Sequence, residues 1–350
     1  MEIIQKSAPH LRKPNANVVR MMRDVVIALL PLVALAIYNH GLTAVWIMLA
    51  AILSMVGTEY VYYQISDLVN KEKFKLKNKN FTLYNYSVMV SGVIYGLTIP
   101  DATPIMIVII GGVIAVLLVK LVFGGMGQNI FNVAAFGRAF IALSFGAAVG
   151  VANFVDSEVG ATVLGALSAS PFADITVNYS LMDMFTGIGL PGTIGETSAM
   201  LILVGGIYLA LRKSFDVFVP LVYVGTVFVL SLAVMVRMDL DWWYPLTHIL
   251  SGGLLFGAIY MATDPITIPV TRPGRVYFAF GLGVITFVIR LFGQYPEGVV
   301  FAILIMNMFV PAIDYPQWAR SKFSVRSAII FTAVVLLTIM AIWVGVTYVG

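Results

Sequence analysis

The chain has 350 residues, of which 60% are hydrophobic and 11% charged, with a mean hydropathy of +0.96 and a net charge of +4. Soluble domains carry roughly 25% charged residues, so this composition excludes a soluble globular protein and marks an integral membrane protein, for which no nucleic-acid partner is expected. The absence of cysteine excludes disulfides, Cys-ligated zinc and an ordinary iron–sulfur cluster, so any electrons this chain carries must travel on an organic cofactor.

The opening segment, Met1 to Arg20, holds Lys6, Arg12, Lys13 and Arg20 and lacks the apolar core of a signal peptide. Eleven stretches are apolar enough to be candidate membrane helices: 22–39, 44–65, 83–99, 104–123, 133–153, 197–212, 216–236, 246–263, 276–293, 298–313 and 326–348. The basic residues gather between alternate spans. They are Lys71 to Lys79 after the second, Arg212 and Lys213 after the sixth, Arg272 and Arg275 after the eighth, and Arg320, Lys322 and Arg326 after the tenth. Lys and Arg resist translocation, so these loops and the N-terminus belong on the cytoplasmic side of a cell membrane. The same threading places outside the segment from Phe154 to Glu196, which has five acids and no Lys or Arg; Arg237 is a minor exception to the charge rule.

A weak repeat runs through the chain. Ser91 to Pro104 echoes Gly252 to Pro265, with Gly92, Gly96 and Pro104 matching Gly253, Gly257 and Pro265, and Asn129 to Ala135 is loosely echoed from Asn307 to Ala312. The fold expected is all-α, with about ten or eleven transmembrane helices in two inverted five-helix repeats. The organisation expected is a first repeat over 1–153, an external loop over 154–196, a second repeat over 197–325 and a C-terminal helix over 326–350.

Three motifs could carry chemistry. Gly160-Ala161-Thr162 offers a hydroxyl beside two small residues, to which a flavin phosphate can be esterified; a loop or helix-capping threonine is the plainer reading. Phe123 to Arg138 joins three glycines (Gly124, Gly125, Gly127) to Asn129 and Asn132, which can donate to and accept from a flavin edge or ribityl chain, or can form a tight interhelical turn. Gly192 to Ser198 opens the sixth span, and its helix N-terminus can seat a phosphate or carbonyl, or simply be capped by Thr197 or Ser198. Ionisable residues within apolar stretches are Asp24, Glu59, Lys120, Arg138, Asp264, Arg290 and Glu297. Most lie near span ends, where snorkelling accounts for them, and Glu59 is the best interior acid for an ion path. His10, His40 and His248 show no mutual spacing and read as structural.

Together these stretches resemble one family. Ser7-Ala-Pro-His10, Asn129 to Phe140, Asp156 to Leu164, Ile194-Gly-Glu-Thr-Ser198, Met261-Ala-Thr-Asp-Pro265 and Tyr295-Pro-Glu-Gly298 are similar to motifs of the RnfD family, the D subunits of Rnf-type ion-translocating ferredoxin:NAD oxidoreductases, and of their sister NqrB. NqrB is the B subunit of the sodium-translocating NADH:quinone oxidoreductase. The first span begins near Met22, and this short lead favours RnfD, since NqrB-like chains have a longer one.

The resemblance implies FMN joined by a phosphoester to Thr162 outside, with Asp156 at the acidic position of the flavinylation signal. Val159 stands where the family has Ser or Thr, and Thr186 is the fallback attachment site. It also implies a non-covalent riboflavin or second flavin inside, near Asn129 and Asn132. The full cofactor-binding set is Thr162, Asp156, Gly160, Ala161, Gly195, Glu196 and Thr197 outside, with Asn129, Asn132, Gly125 and Arg138 inside. Expected partners are an external FMN subunit, iron–sulfur subunits and an NAD-reducing subunit, with Na⁺ or H⁺ as the coupled ion. A solute channel or transporter without redox work is the competing class.

Overall fold

The structure, a computed structural model, describes residues 18–69, 81–146, 148–149, 163–172, 180–187, 192–251, 253–293, 298–315 and 322–348. The described residues form helices and no β-strand; one antiparallel bridge pairs Pro100 with Thr193.

Helix α1 (Val18–His40) and α2 (Leu42–Val69) are joined by Gly41 in the left-handed region, a sharp reversal glycine makes without strain. A short 3₁₀ turn at Thr82–Asn85 leads into α3 (Ser87–Leu97). α4 (Ile105–Ala115) runs on into a π turn at Val116–Leu121. Helix α5 (Val133–Ser144) is capped by Asn132, whose Oδ1 accepts from the Ala135 amide at 3.0 Å. Two short helices, α6 (Val163–Ala169) and α7 (Leu181–Thr186), precede α8 (Ala199–Arg212), which Ser198 caps. Then come α9 (Phe218–Met238), α10 (Trp243–Leu250) and α11 (Leu254–Phe256), the last continuing as a π turn at Gly257–Met261. The chain ends with α12 (Arg272–Phe292), capped by Thr271, α13 (Val299–Ile313) and α14 (Val325–Gly345), capped by Ser324.

Among the described residues α1, α2, α9, α12 and the helix from Val325 to Tyr348 are long and apolar enough to cross a membrane. Shorter apolar helices occupy the remaining candidate stretches, with one exception in kind. The stretch 246–263 is not one helix: it breaks between α10 and α11, where Ser251 is extended and Gly253 opens the next turn. The fifth stretch is also shorter than expected, because the helix ends at Ser144. A helix of about 11 residues spans about 16 Å, roughly half the hydrocarbon, so α3 and α5 end within the protein.

These ends meet one another. The amides of Ile194 and Gly195 donate to the carbonyls of Ile99 (3.1 Å) and Leu97 (2.8 Å), which docks the entrance of α8 on the end of α3. α1 packs on α8 and α5 on α13, while α2, α3 and α4 form one cluster and α9, α12 and α13 another. Close approach rests on glycine at two places. A Cβ on Gly112 of α4 would run into the Ser54 hydroxyl of α2, and one on Gly283 of α12 would lie 2.5 Å from the Thr226 Cβ of α9.

Gly283→Leu is therefore expected to lower the stability of the detergent-solubilised protein by about 1–3 kcal/mol through overpacking. Gly225→Leu, in open space on α9, should leave the melting temperature unchanged in the same thermal-unfolding assay.

Candidate functional site

One cavity gathers residues from both parts of the chain. Its walls come from the start of α1 (Met21, Met22, Val25), from α3 (Ser87, Val90, Ser91, Ile94), from the two π turns (Lys120, and Ile259 with Tyr260), from the turn before α5 (Met126, Asn129, Asn132), from Ser214 and Phe215 after α8, and from Thr263 to Ile266. The turn before α5 exists because Gly124, Gly125 and Gly127 all have positive φ, at 110°, 95° and 87°. A side chain on Gly125 would also lie 2.8 Å from the Tyr63 hydroxyl.

Asn132 ties the cavity together. Its backbone amide donates to Asn307 Oδ1 (3.0 Å), and its side-chain Nδ2 donates to the Met261 carbonyl (3.1 Å). Asn307 Nδ2 in turn donates to the Thr267 carbonyl at 3.0 Å. The entrance of α5, the Met261–Pro265 segment and α13 are thus fixed to one another by amide side chains. The sequence offered Asn132 as a ligand contact. In the structure Asn132 lines the cavity but commits Nδ2 to protein, so its first role is to hold the Met261 loop. Asn129 donates to the nearby Phe131 carbonyl (3.1 Å) and keeps an amide edge at the wall.

Lys120 is the one cation and Asp264 the one acid among the described lining residues. Lys120 is buried at the end of its π turn, where Nζ donates to Glu59 Oε2 (3.1 Å) and Thr82 Oγ1 (2.6 Å). The Thr82 amide and hydroxyl donate to the same carboxylate at 3.1 Å and 2.9 Å. The sequence singled out Glu59 and Lys120 separately; their pairing was legible only as two opposite charges in separate apolar stretches. Asp264 accepts from the Ile266 amide and the Thr267 hydroxyl, both at 3.3 Å.

A second buried acid lies beside the cavity. Asp24 of α1 accepts both Arg212 Nε and Nη2 at 3.2 Å and Ser214 Oγ at 2.9 Å, with Arg20 at 3.9 Å. Proximity to a span end suggested snorkelling for Asp24. It is instead fully buried and clasps the end of α8, because a carboxylate out of water needs its charge met by donors. Arg138 is buried in α5 and is not part of the cavity wall.

The outer candidates divide. Thr162, Asp156, Gly160 and Ala161, with Val159, lie outside the described residues. The helix following them, α6, begins at Val163 with Val163, Leu164 and Leu167 buried, so the chain leaving Thr162 is anchored on the protein. Gly195 gives its amide to Leu97, and a Cβ there would strike the Leu97 side chain, so this glycine serves packing. Glu196 accepts from the Thr193 hydroxyl at 2.7 Å and lies against Gly253, at the entrance of α11. Thr197 is buried beside it, and Ser198 makes the cap. Thr186 is on α7 and spends its hydroxyl on the Met182 carbonyl at 3.1 Å.

The chain has relatives among known proteins. The profile of the NQR2, RnfD, RnfE family matches residues 4–322. The chain is 36% identical over 318 residues to the D subunit of the Na⁺-translocating ferredoxin:NAD⁺ oxidoreductase complex of Acetobacterium woodii, covering 90% of this chain and 93% of that one. It is also 36% identical over 318 residues to the D subunit of the proton-translocating ferredoxin:NAD⁺ oxidoreductase complex of Clostridium ljungdahlii, covering 88% and 92%. Against the B subunit of the Na⁺-translocating NADH-quinone reductase of Chromohalobacter salexigens it is 34% identical over 242 residues, covering 66% and 58%.

Removing Lys120 leaves the Glu59 carboxylate buried, with Thr82 still donating to it. Lys120→Met is expected to destabilise the protein by about 3–5 kcal/mol, and Glu59→Gln with Lys120→Met to recover most of that loss. A thermal-unfolding double-mutant cycle checks this, and additive losses would show that the two groups do not act as a pair.

Proposed function

The chain belongs to the NQR2, RnfD, RnfE family, and from that membership we propose that it is the D-type membrane subunit of an ion-translocating ferredoxin:NAD oxidoreductase. It carries FMN by a phosphoester on Thr162 at the outer face and a non-covalent riboflavin in the inner cavity, and it conveys electrons between the two faces with transport of Na⁺ or H⁺. The D-type assignment over the B-type rests on coverage, since the match to the reductase's B subunit falls to 66% of this chain and 58% of the relative. Two relatives of equal identity bear names that differ in the ion, so overall similarity does not choose between Na⁺ and H⁺.

The single observation that carries the inner site is the cavity holding Asn129 and Asn132 against Met261 to Pro265. Apart from Lys120 and Asp264 its lining is neutral, and its enclosed volume of about 80 Å³ requires the walls to part to admit a flavin. The walls offer the Asn129 amide, the Ser87 hydroxyl and an apolar floor of Val90, Ile94 and Ile259, while Asn132, Ser91 and Ser214 spend their polar groups on protein. The Lys120 charge is already met by Glu59, leaving no cluster of cations among the described lining residues to receive a phosphate. When bound, a flavin supplies the one- and two-electron chemistry that this cysteine-free chain lacks. The chain's own part is to position it: Asn132 holds the Met261 loop, Asn129 presents its amide, and Val90, Ile94 and Ile259 give an apolar floor.

An inverted arrangement would suit two-sided work: with five candidate spans between them, α1 and α8 are expected to run oppositely, as are α5 and α13, and each pair is in contact. Moving one cation against about 150 mV costs about 3.5 kcal/mol. A two-electron drop of about 75 mV supplies that amount.

Peptide mapping of the protein purified from its native complex is expected to show an FMN-sized mass increment on the peptide containing Thr162, retained after denaturation and acid. Thr162→Val should remove it and lower ferredoxin:NAD electron transfer by the assembled complex at least tenfold. An unmodified peptide would instead favour a transporter without redox work, and electron transfer left intact by Thr162→Val would favour a purely structural membrane subunit. Asn129→Leu should reduce the acid-extractable flavin while leaving the Thr162 adduct in place.

A further inference from the structure

We infer that the inner cavity is loaded from a larger crevice beside it, through a gate made by the side chains of Met21 and Phe215. The cavity encloses about 80 Å³, against roughly 300–1,000 Å³ for sites that take organic ligands. The crevice has about 780 Å³. Its lining includes Lys213, Asp216, Arg272 and Arg275, and charged walls of this kind face water and not lipid. Lys213 and Arg272 are exposed, and Arg275 donates to the Asp216 carboxylate and the Pro269 carbonyl. By the charge rule these basic residues put the crevice on the cytoplasmic side.

The two spaces share one wall. Met21, Ser214, Phe215, Thr263 and Pro265 line both. Three of these residues are held in place. Ser214 Oγ donates to the buried Asp24 carboxylate at 2.9 Å, and Thr263 Oγ1 donates to the Ile259 carbonyl at 2.6 Å. Pro265 is a closed ring, and Asp264 beside it accepts from the Ile266 amide and the Thr267 hydroxyl. Met21, in the first turn of α1, and Phe215, in the link after α8, have no polar tie and are only half-buried. Side chains with one face free change rotamer on the nanosecond scale, and the unbranched Met thioether adapts its shape. Turning these two aside joins the cavity to the crevice without breaking a side-chain hydrogen bond or moving a helix.

The gate also selects. A thioether and an aromatic ring make favourable contacts with a flat aromatic group, whereas an apolar constriction holds back hydrated ions. The ligand class that fits is a planar, uncharged aromatic molecule arriving from the cytoplasm. Its identity as a flavin rests on the proposed function; the gate rests on the shared wall alone.

The chain has no cysteine, so Ser91→Cys places a single thiol in the wall of the inner cavity and outside that of the crevice. In inside-out membrane vesicles holding the native complex, a small membrane-impermeant thiosulfonate is expected to label that thiol at least tenfold faster once Phe215→Ala or Met21→Ala is added, read as mass on the peptide that carries it. Phe218→Ala, which alters the crevice and not the shared wall, should leave the rate as it is in Ser91→Cys alone. Right-side-out vesicles should show no labelling. A rate unchanged in both gate variants, equal acceleration by Phe218→Ala, or labelling from the outer face would overturn the inference. Accelerated labelling in a complex that yields no acid-extractable flavin would sink the flavin reading and leave the gate standing.

Discussion

In hydrocarbon no water is present to satisfy a helix end, so every helix that stops inside a membrane must hand its free N–H and C=O groups to protein. The arrangement of the broken helices depends on that constraint. The carbonyls of Leu97 and Ile99, beyond the end of α3, are taken by the amides of Gly195 and Ile194. The carbonyl of Met261, at the end of α11's π turn, is taken by the amide of Asn132, and that of Thr267 by Asn307. The break after α10 is closed by Arg290, which donates to the carbonyls of His248 and Ser251. Each broken helix is thereby bonded to a segment distant in sequence, and the resulting ties place polar groups within an otherwise apolar bundle.

The buried charges follow the same logic at higher stakes. A carboxylate moved out of water loses several kcal/mol of hydration, so Glu59 and Asp24 persist only because each is met by multiple donors. Glu59 receives Lys120 and both donors of Thr82, and Asp24 receives a bidentate Arg212 together with Ser214. Both clusters join elements that the chain separates widely, α2 to the π turn of α4 and α1 to the end of α8. They border the cavity from two sides, which makes its wall rigid where Lys120 and Ser214 line it. That rigidity suits the cofactor-holding role proposed for the cavity.

Much of this was legible in the residues. Hydropathy located the apolar helices, because a span of about 20 apolar residues is a local property of the chain. The recurrence of Gly92, Gly96 and Pro104 as Gly253, Gly257 and Pro265 pointed to two related halves; in the structure Gly92 lies inside α3 whereas Gly253 precedes α11. Asn129 and Asn132 were singled out for the inner site, and both line the cavity. Other expectations needed revising. The stretch 246–263 has the composition of one helix, and nothing in its hydropathy marks the break at Ser251. Gly195 read as a ligand-facing glycine and turns out to be a packing glycine under Leu97.

By themselves the residues establish that the chain lives in a membrane, where its apolar helices lie, which motif residues stand together along the chain, and that any redox work must use an organic group. Those properties depend on composition and on neighbours within a few turns. The packed fold was needed to show that Glu59 meets Lys120, that Asp24 meets Arg212, and that Asn132 spends its amide on Met261. These are pairings between residues far apart in the chain, and the cost of leaving a polar group or charge alone in a low-dielectric interior fixes them only once the helices are packed.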